Sequence, residues 1–98
     1  MINGGRTSFG CYYNQRHIYV VGGNETNSKT GRSCCRFDIY SRKWETLPDL
    51  YFTRANPCTF VKDNYLYAIG GFEYNGYSQK ALDSMEKLDL NNIKAGWQ

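Results

Sequence analysis

The chain reads as an all-β protein built from two copies of one four-stranded antiparallel unit. The strongest sign is a near-duplication: HIYVVGG at residues 17–23 returns as YLYAIGG at residues 65–71, with a gapless offset of 48 residues. At that offset Tyr19 falls on Tyr67, Gly22 on Gly70, Gly23 on Gly71 and Arg6 on Arg54. A period of this size marks radially repeated sheets, none of which buries both its faces alone. Composition agrees, since 16% aromatic residues, 9 Tyr and 10 Gly favour strands and tight turns over helices. Length sets the count: 98 residues hold two such units and not a third.

Each element has a local reason. Residues 8–13 read as a first strand, and the polar residues 14–16 form a short hairpin loop. His17–Val21 is a β-branched and aromatic second strand, ended by Gly22-Gly23. Residues 24–32 (NETNSKTGR) are a polar loop of turn formers. Residues 33–38 make the third strand, 39–42 a turn, and Lys43–Leu47 a fourth strand stopped by Pro48. The second copy repeats this order: strand 57–61, hairpin 62–64, strand Tyr65–Ile69, Gly70-Gly71, a long loop over 72–81 and strand 83–88. The sequence stops at Trp97-Gln98 as a fourth strand begins. Four short antiparallel strands per repeat make one propeller blade, which divides the chain into a first blade over residues 1–53 and a second over 54–98, truncated in its last strand.

The recurring residues come in a fixed series. An apolar strand closes on a double glycine, then Phe37-Asp38 or Leu88-Asp89 follows, and then Trp44 or Trp97. Leu47-Pro48-Asp49-Leu50 bends toward Arg54, which opens the next unit. Taken twice and in order, this series resembles kelch repeats and covers essentially the whole chain. The second copy departs by two extra residues between Leu88 and Trp97 and by Leu88 in place of the aromatic. The resemblance implies a partial kelch-type β-propeller of two four-stranded blades. The glycines are expected to take positive φ where neighbouring sheets converge. Tyr19, Tyr67, Phe37, Trp44 and Trp97 are expected to pack one blade on the next, with Trp44 buried there. Arg6 and Arg54 are expected to form ordering ion pairs or carbonyl contacts.

Kelch propellers are most often protein-interaction platforms that use loops at one end. Carried over residue by residue, the resemblance nominates the positions just after the inner-strand arginine, Ser8 and Asn56, and the starts of the loops after the double glycine, Asn24 and Phe72. Tyr74 and Tyr77, rigid aromatics set among Asn, Gly and Ser, join them as contact residues. The implied function is a non-catalytic scaffold or substrate adaptor that binds other proteins. The alternative is a fragment of a propeller enzyme, such as a galactose-oxidase-like or sugar-processing protein. A copper radical site of that kind needs two His, and this chain has one, His17.

Other classes find little support. The net charge is +3 and Lys and Arg are scattered, so no nucleic-acid footprint is expected. No apolar stretch reaches membrane-spanning length, and residues 1–10 carry no secretory core, so a cytoplasmic protein is expected. The Asn24-Glu25-Thr26 sequon is then accidental. Cys11, Cys34, Cys35 and Cys58 lack metal-ligand spacing and are expected as small buried hydrophobes, with no metal or cofactor. Asp38, Glu86 and Asp89 have no base or nucleophile at a fixed spacing, so no catalytic residue is assigned. Both ends carry full repeat chemistry rather than polar caps. A fragment of a longer kelch protein, or a protomer that completes a ring by self-association, is therefore expected.

Overall fold

A computed structural model describes residues 7–24, 30–74 and 78–98. Arg6, Tyr77 and residues 25–29 of the first long loop lie outside them. The described chain is all-β, with nine strands and one 3-10 turn at Ile93–Ala95.

The first sheet orders β1 (Gly10–Tyr13), β2 (His17–Val21), β3 (Cys34–Asp38) and β4 (Lys43–Leu47) as an antiparallel meander. The second orders β5 (Cys58–Lys62), β6 (Tyr65–Ile69) and β9 (Met85–Asp89). Its fourth position is held by the isolated bridge Leu88↔Trp97, flanked by reciprocal backbone hydrogen bonds between Lys87 and Gln98 of 3.1 and 2.8 Å. Within the stretch 72–81, expected as a long loop, the described residues instead pair as a two-stranded ribbon of β7 (Phe72–Tyr74) and β8 (Gln79–Ala81). Backbone pairing of Phe72 with Ala81 and Tyr74 with Gln79 satisfies polar groups that a loop would leave to water.

Turn chemistry sets the registers. Asp63 and Asn64 both take positive φ (51° and 68°), so the β5–β6 hairpin is a two-residue turn whose twist matches its strands. The repeated Asp caps the turn after the third strand of each copy: Asp38 Oδ1 accepts the N–H groups of Tyr40 and Ser41, and Asp89 Oδ1 accepts that of Asn91. Two extra residues before Trp97 are absorbed by the 3-10 turn and by Gly96 at φ 81°.

The two sheets pack face to face. From the first come Tyr19, Val21, Cys34 and Leu47, and from the second Leu66, Ala68, Leu88 and Trp97, with Leu50 of the crossover between them. Strand β6 shows the logic: Leu66 and Ala68 are buried, while Tyr65, Tyr67 and Ile69 on the other face are half-buried. Trp97 is 2% exposed, and its indole N–H donates to the Pro48 carbonyl of the first blade at 2.8 Å. Trp44, expected buried between blades, is half-buried on the outer face of the first sheet, where it tilts against Phe37 at 5.1 Å. The reason is directional. Trp97 reaches back to the blade before its own, and among the described residues Trp44 has no such blade to meet. The cysteines also divide: Cys34 and Cys35 are fully buried on opposite faces of β3, whereas Cys11 and Cys58 are exposed on the outward faces of β1 and β5.

The glycine pairs sit where the chain crosses between sheets. Gly22 takes φ 65°, and a Cβ there would collide with the Arg54 carbonyl, whose oxygen accepts the Gly23 N–H at 2.7 Å. Gly71 takes φ 87°, and its Cβ would fall 2.5 Å from the Ala55 carbonyl. Beside them lies a buried ion pair. Arg54 Nε donates to Glu86 Oε2 at 3.0 Å, with exposures of 0% and 3%. The remaining guanidinium nitrogens bond the Gly70 and Ser84 carbonyls and the Ser84 hydroxyl. Glu86 also accepts the N–H groups of Tyr51 and Phe52, which fastens the crossover to the second sheet.

Candidate partner-binding rim

At the double-glycine end, the inner-strand positions and the long loops are bonded into one rim, twice over and with the same geometry. In the first copy Thr7 and Asn24 exchange backbone hydrogen bonds of 3.0 and 2.7 Å; in the second Ala55 and Phe72 do so at 2.7 and 2.9 Å. Ser8 and Asn56 follow, both exposed and both at positive φ (56° and 54°), so the local kink is repeated as well as the sequence. The Asn56 N–H donates to the Ser8 carbonyl and joins the two copies side by side.

Thr30 links the two long connections across 44 residues. Its hydroxyl accepts the Tyr74 N–H at 2.8 Å and lies 3.1 Å from Asn24 Oδ1, and its own N–H reaches the Tyr74 carbonyl at 3.4 Å. Nothing in the sequence distinguished Thr30 from its polar neighbours, because its role depends on a partner far along the chain. The structure thus brings Ser8, Asn24, Asn56, Phe72 and Tyr74 to one end. Ser8 and Asn56 are exposed, and Asn24, Phe72 and Tyr74 are half-buried. The neighbouring strand β8 is exposed throughout.

A concavity opens at the opposite, hairpin end. It is a cleft of about 420 Å³ between the sheets, lined by Asn14, Arg16, His17, Tyr19, Arg36 and Asn64 among others. Its charges are largely matched: Arg16 pairs with Asp38 at 3.1 Å, and Arg36 with Glu45 at 2.7 Å. Burial, reinforced by the Arg36 guanidinium, holds His17 below its ordinary value of 6.5, against the pull of Asp38 at 3.8 Å. For Asp38, burial acts upward but is outweighed by the Ser41 N–H, the Arg16 guanidinium and the Tyr40 N–H, so its carboxyl sits below its ordinary value. Among the described residues no three His, Cys, Asp or Glu side chains cluster as metal ligands, and no helix is long and apolar enough to cross a membrane.

No protein-family model matches the chain. Comparison with curated proteins finds Kelch repeat protein C2 of Vaccinia virus (strain Western Reserve), 33% identical over 58 residues, or 59% of this chain and 11% of that protein. The C2 protein of Cowpox virus matches to the same extent. An F-box/kelch-repeat protein of Arabidopsis thaliana is 27% identical over 89 residues, or 88% of this chain and 25% of that protein. The chain therefore spans 11% of the poxviral relatives and 25% of the plant one. Modest as the identities are, they agree with the repeat series and the antiparallel blades in making this chain similar to kelch-repeat proteins.

Proposed function

From its kelch repeats, we propose that the chain is a protein-interaction module, of scaffold or substrate-adaptor type and non-catalytic, working in the cytoplasm. The rim of Ser8, Asn24, Asn56, Phe72 and Tyr74 is its contact surface. One observation carries the reading: the double hydrogen-bonded tie of Thr30 to Tyr74, with the Asn56–Ser8 link, makes separate loops into a single pre-ordered surface. A surface ordered before binding loses little conformational entropy on association. Half-buried aromatics among exposed polar groups supply the anchor-and-rim composition of binding sites. The cleft at the hairpin end supports the reading less well, because its cations are already engaged by Asp38 and Glu45.

The test is to pan a displayed random-peptide library on the purified chain and then measure the selected peptides on variants. Tyr74→Ala and Asn56→Gly should abolish binding while leaving the melting temperature within a few degrees of the parent. Gln15→Ala, at the hairpin end, should leave binding intact. Selected peptides that bind the rim variants normally, or that are lost on Gln15→Ala, would refute the assignment of the rim.

A further inference from the structure

The cleft at the hairpin end has two walls that do not suit each other. On the inward face of the first sheet, the cross-strand neighbours Val21, Cys34 and Leu47 are core. One step nearer the hairpins the same face presents Tyr19, Arg36 and Glu45 side by side, and one step further His17 beside Asp38. The facing sheet keeps apolar residues at that level, Val61 and Leu90, both half-buried against the core. Guanidinium and imidazole groups gain no hydrogen bonds by packing on such side chains. The space between the walls measures about 420 Å³, within the range of about 300–1,000 Å³ usual for small-ligand sites.

The cations of the charged wall are not held alike. Arg16 Nε and Nη2 both donate to Asp38 Oδ2, at 3.2 and 3.1 Å, and Asp38 Oδ1 is occupied by the turn N–H groups of Tyr40 and Ser41. That pair is locked. Arg36 gives Nε to Glu45 Oε1 at 2.7 Å. Its side chain is 16% exposed against 52% for Glu45, whose carboxylate has Arg36 as its one hydrogen-bond partner among the described residues. His17 lines the same cleft, and its imidazole makes no hydrogen bond to a described residue, with Asp38 standing 3.8 Å away. An ion pair with one half-exposed partner contributes little, so Glu45 gives way to a better-placed anion. Arg36, mostly out of water, still needs a counter-charge, and its planar fork suits a carboxylate.

We propose that this cleft binds a small monocarboxylic acid with an apolar body, its carboxylate on Arg36 in competition with Glu45 and its body against Val61 and Leu90. An N–H of His17 donates to the same carboxylate. One charged end and one apolar end match the two walls. A dianion would be repelled by Asp38 and Glu45, and an uncharged ligand would gain no ion pair from Arg36. The site stands at the end opposite the rim and uses none of the rim's residues.

The test titrates the isotope-labelled chain with 3-phenylpropionate, and separately with its neutral amide, and follows backbone amide chemical shifts. The acid should bind saturably, moving the signals of His17, Arg36, Val61 and Leu90 while those of Asn56 and Phe72 stay in place. The amide should bind about tenfold more weakly or worse, because the charge-assisted bond to Arg36 is lost. Arg36→Gln should weaken the acid to a similar degree, and Glu45→Gln should tighten it by removing the competitor. Glu45 is at an exposed edge position, so its variant decides the matter even where Arg36→Gln does not fold. Absence of saturable shifts at these residues overturns the site, as does an amide that binds as well as the acid. So does a folded Arg36→Gln chain with unchanged affinity, or a Glu45→Gln chain whose affinity is unchanged or weaker.

Discussion

Replacing Glu86 by glutamine keeps the side-chain shape and removes the charge from a site with almost no access to water. Arg54 and Glu86 are 0% and 3% exposed. Glu86 accepts three hydrogen bonds, from Tyr51 N–H at 2.6 Å, Phe52 N–H at 3.2 Å and Arg54 Nε at 3.0 Å. In the Glu86→Gln chain one acceptor becomes an amide NH₂ facing at least one of those donors, and the Arg54 cation is left buried without its counter-charge. Removing one partner of a buried pair costs about 3–5 kcal/mol, against a total stability of about 5–15 kcal/mol for a chain of this size. The melting temperature should fall by roughly 12–40 °C. Urea unfolding followed by tryptophan fluorescence measures the loss, because Trp97 is buried at the joint between sheets. The double variant Arg54→Met, Glu86→Leu removes both charges and should recover most of it. A Glu86→Gln chain within about 1 kcal/mol of the parent would show that this pair does not hold the crossover.

Three further outcomes are expected. The glycines should rank by crowding as well as by φ: Gly22→Ala, which drives a methyl into the Arg54 carbonyl, should destabilise more than Gly70→Ala, whose methyl meets only the Leu82 carbonyl at 3.5 Å, and chemical denaturation of both variants decides it. Trp97→Ala should cost about 3–5 kcal/mol as a core truncation, and half-buried Trp44 distinctly less; equal losses would mean that the outer face of the first sheet is a core. Stability should fall on acidification. Because the folded pKa of His17 lies below 6.5, the folded state takes up its proton later than the unfolded chain does, and stability is lost as pH drops below about 6.5. Asp38, also lowered, adds a second loss at more acid pH as it is protonated. Unfolding curves between pH 7.5 and 5 of the parent and His17→Gln should differ in slope, and identical slopes would refute the His17 contribution.

The repeat was legible in the chain because it is written in local chemistry. Strand, double glycine, capping aspartate and turn each depend on residues a few places apart, so the offset of 48 residues marked the strands of both copies in their antiparallel order. The rim was partly legible: Ser8 and Asn56, or Asn24 and Phe72, are repeat-equivalent positions, and equivalence carries one end of a blade onto the same end of the next. What joins them was not, because Thr30 finds Tyr74 only when the sheets have stacked. The same holds for the fates of like residues. Trp97 is buried and Trp44 is not, and Cys34 and Cys35 are buried while Cys11 and Cys58 are exposed. Sequence sets which face of a strand a side chain takes, since successive residues alternate. Whether that face meets another sheet or water depends on its place in the stack, and only the tertiary structure decides that.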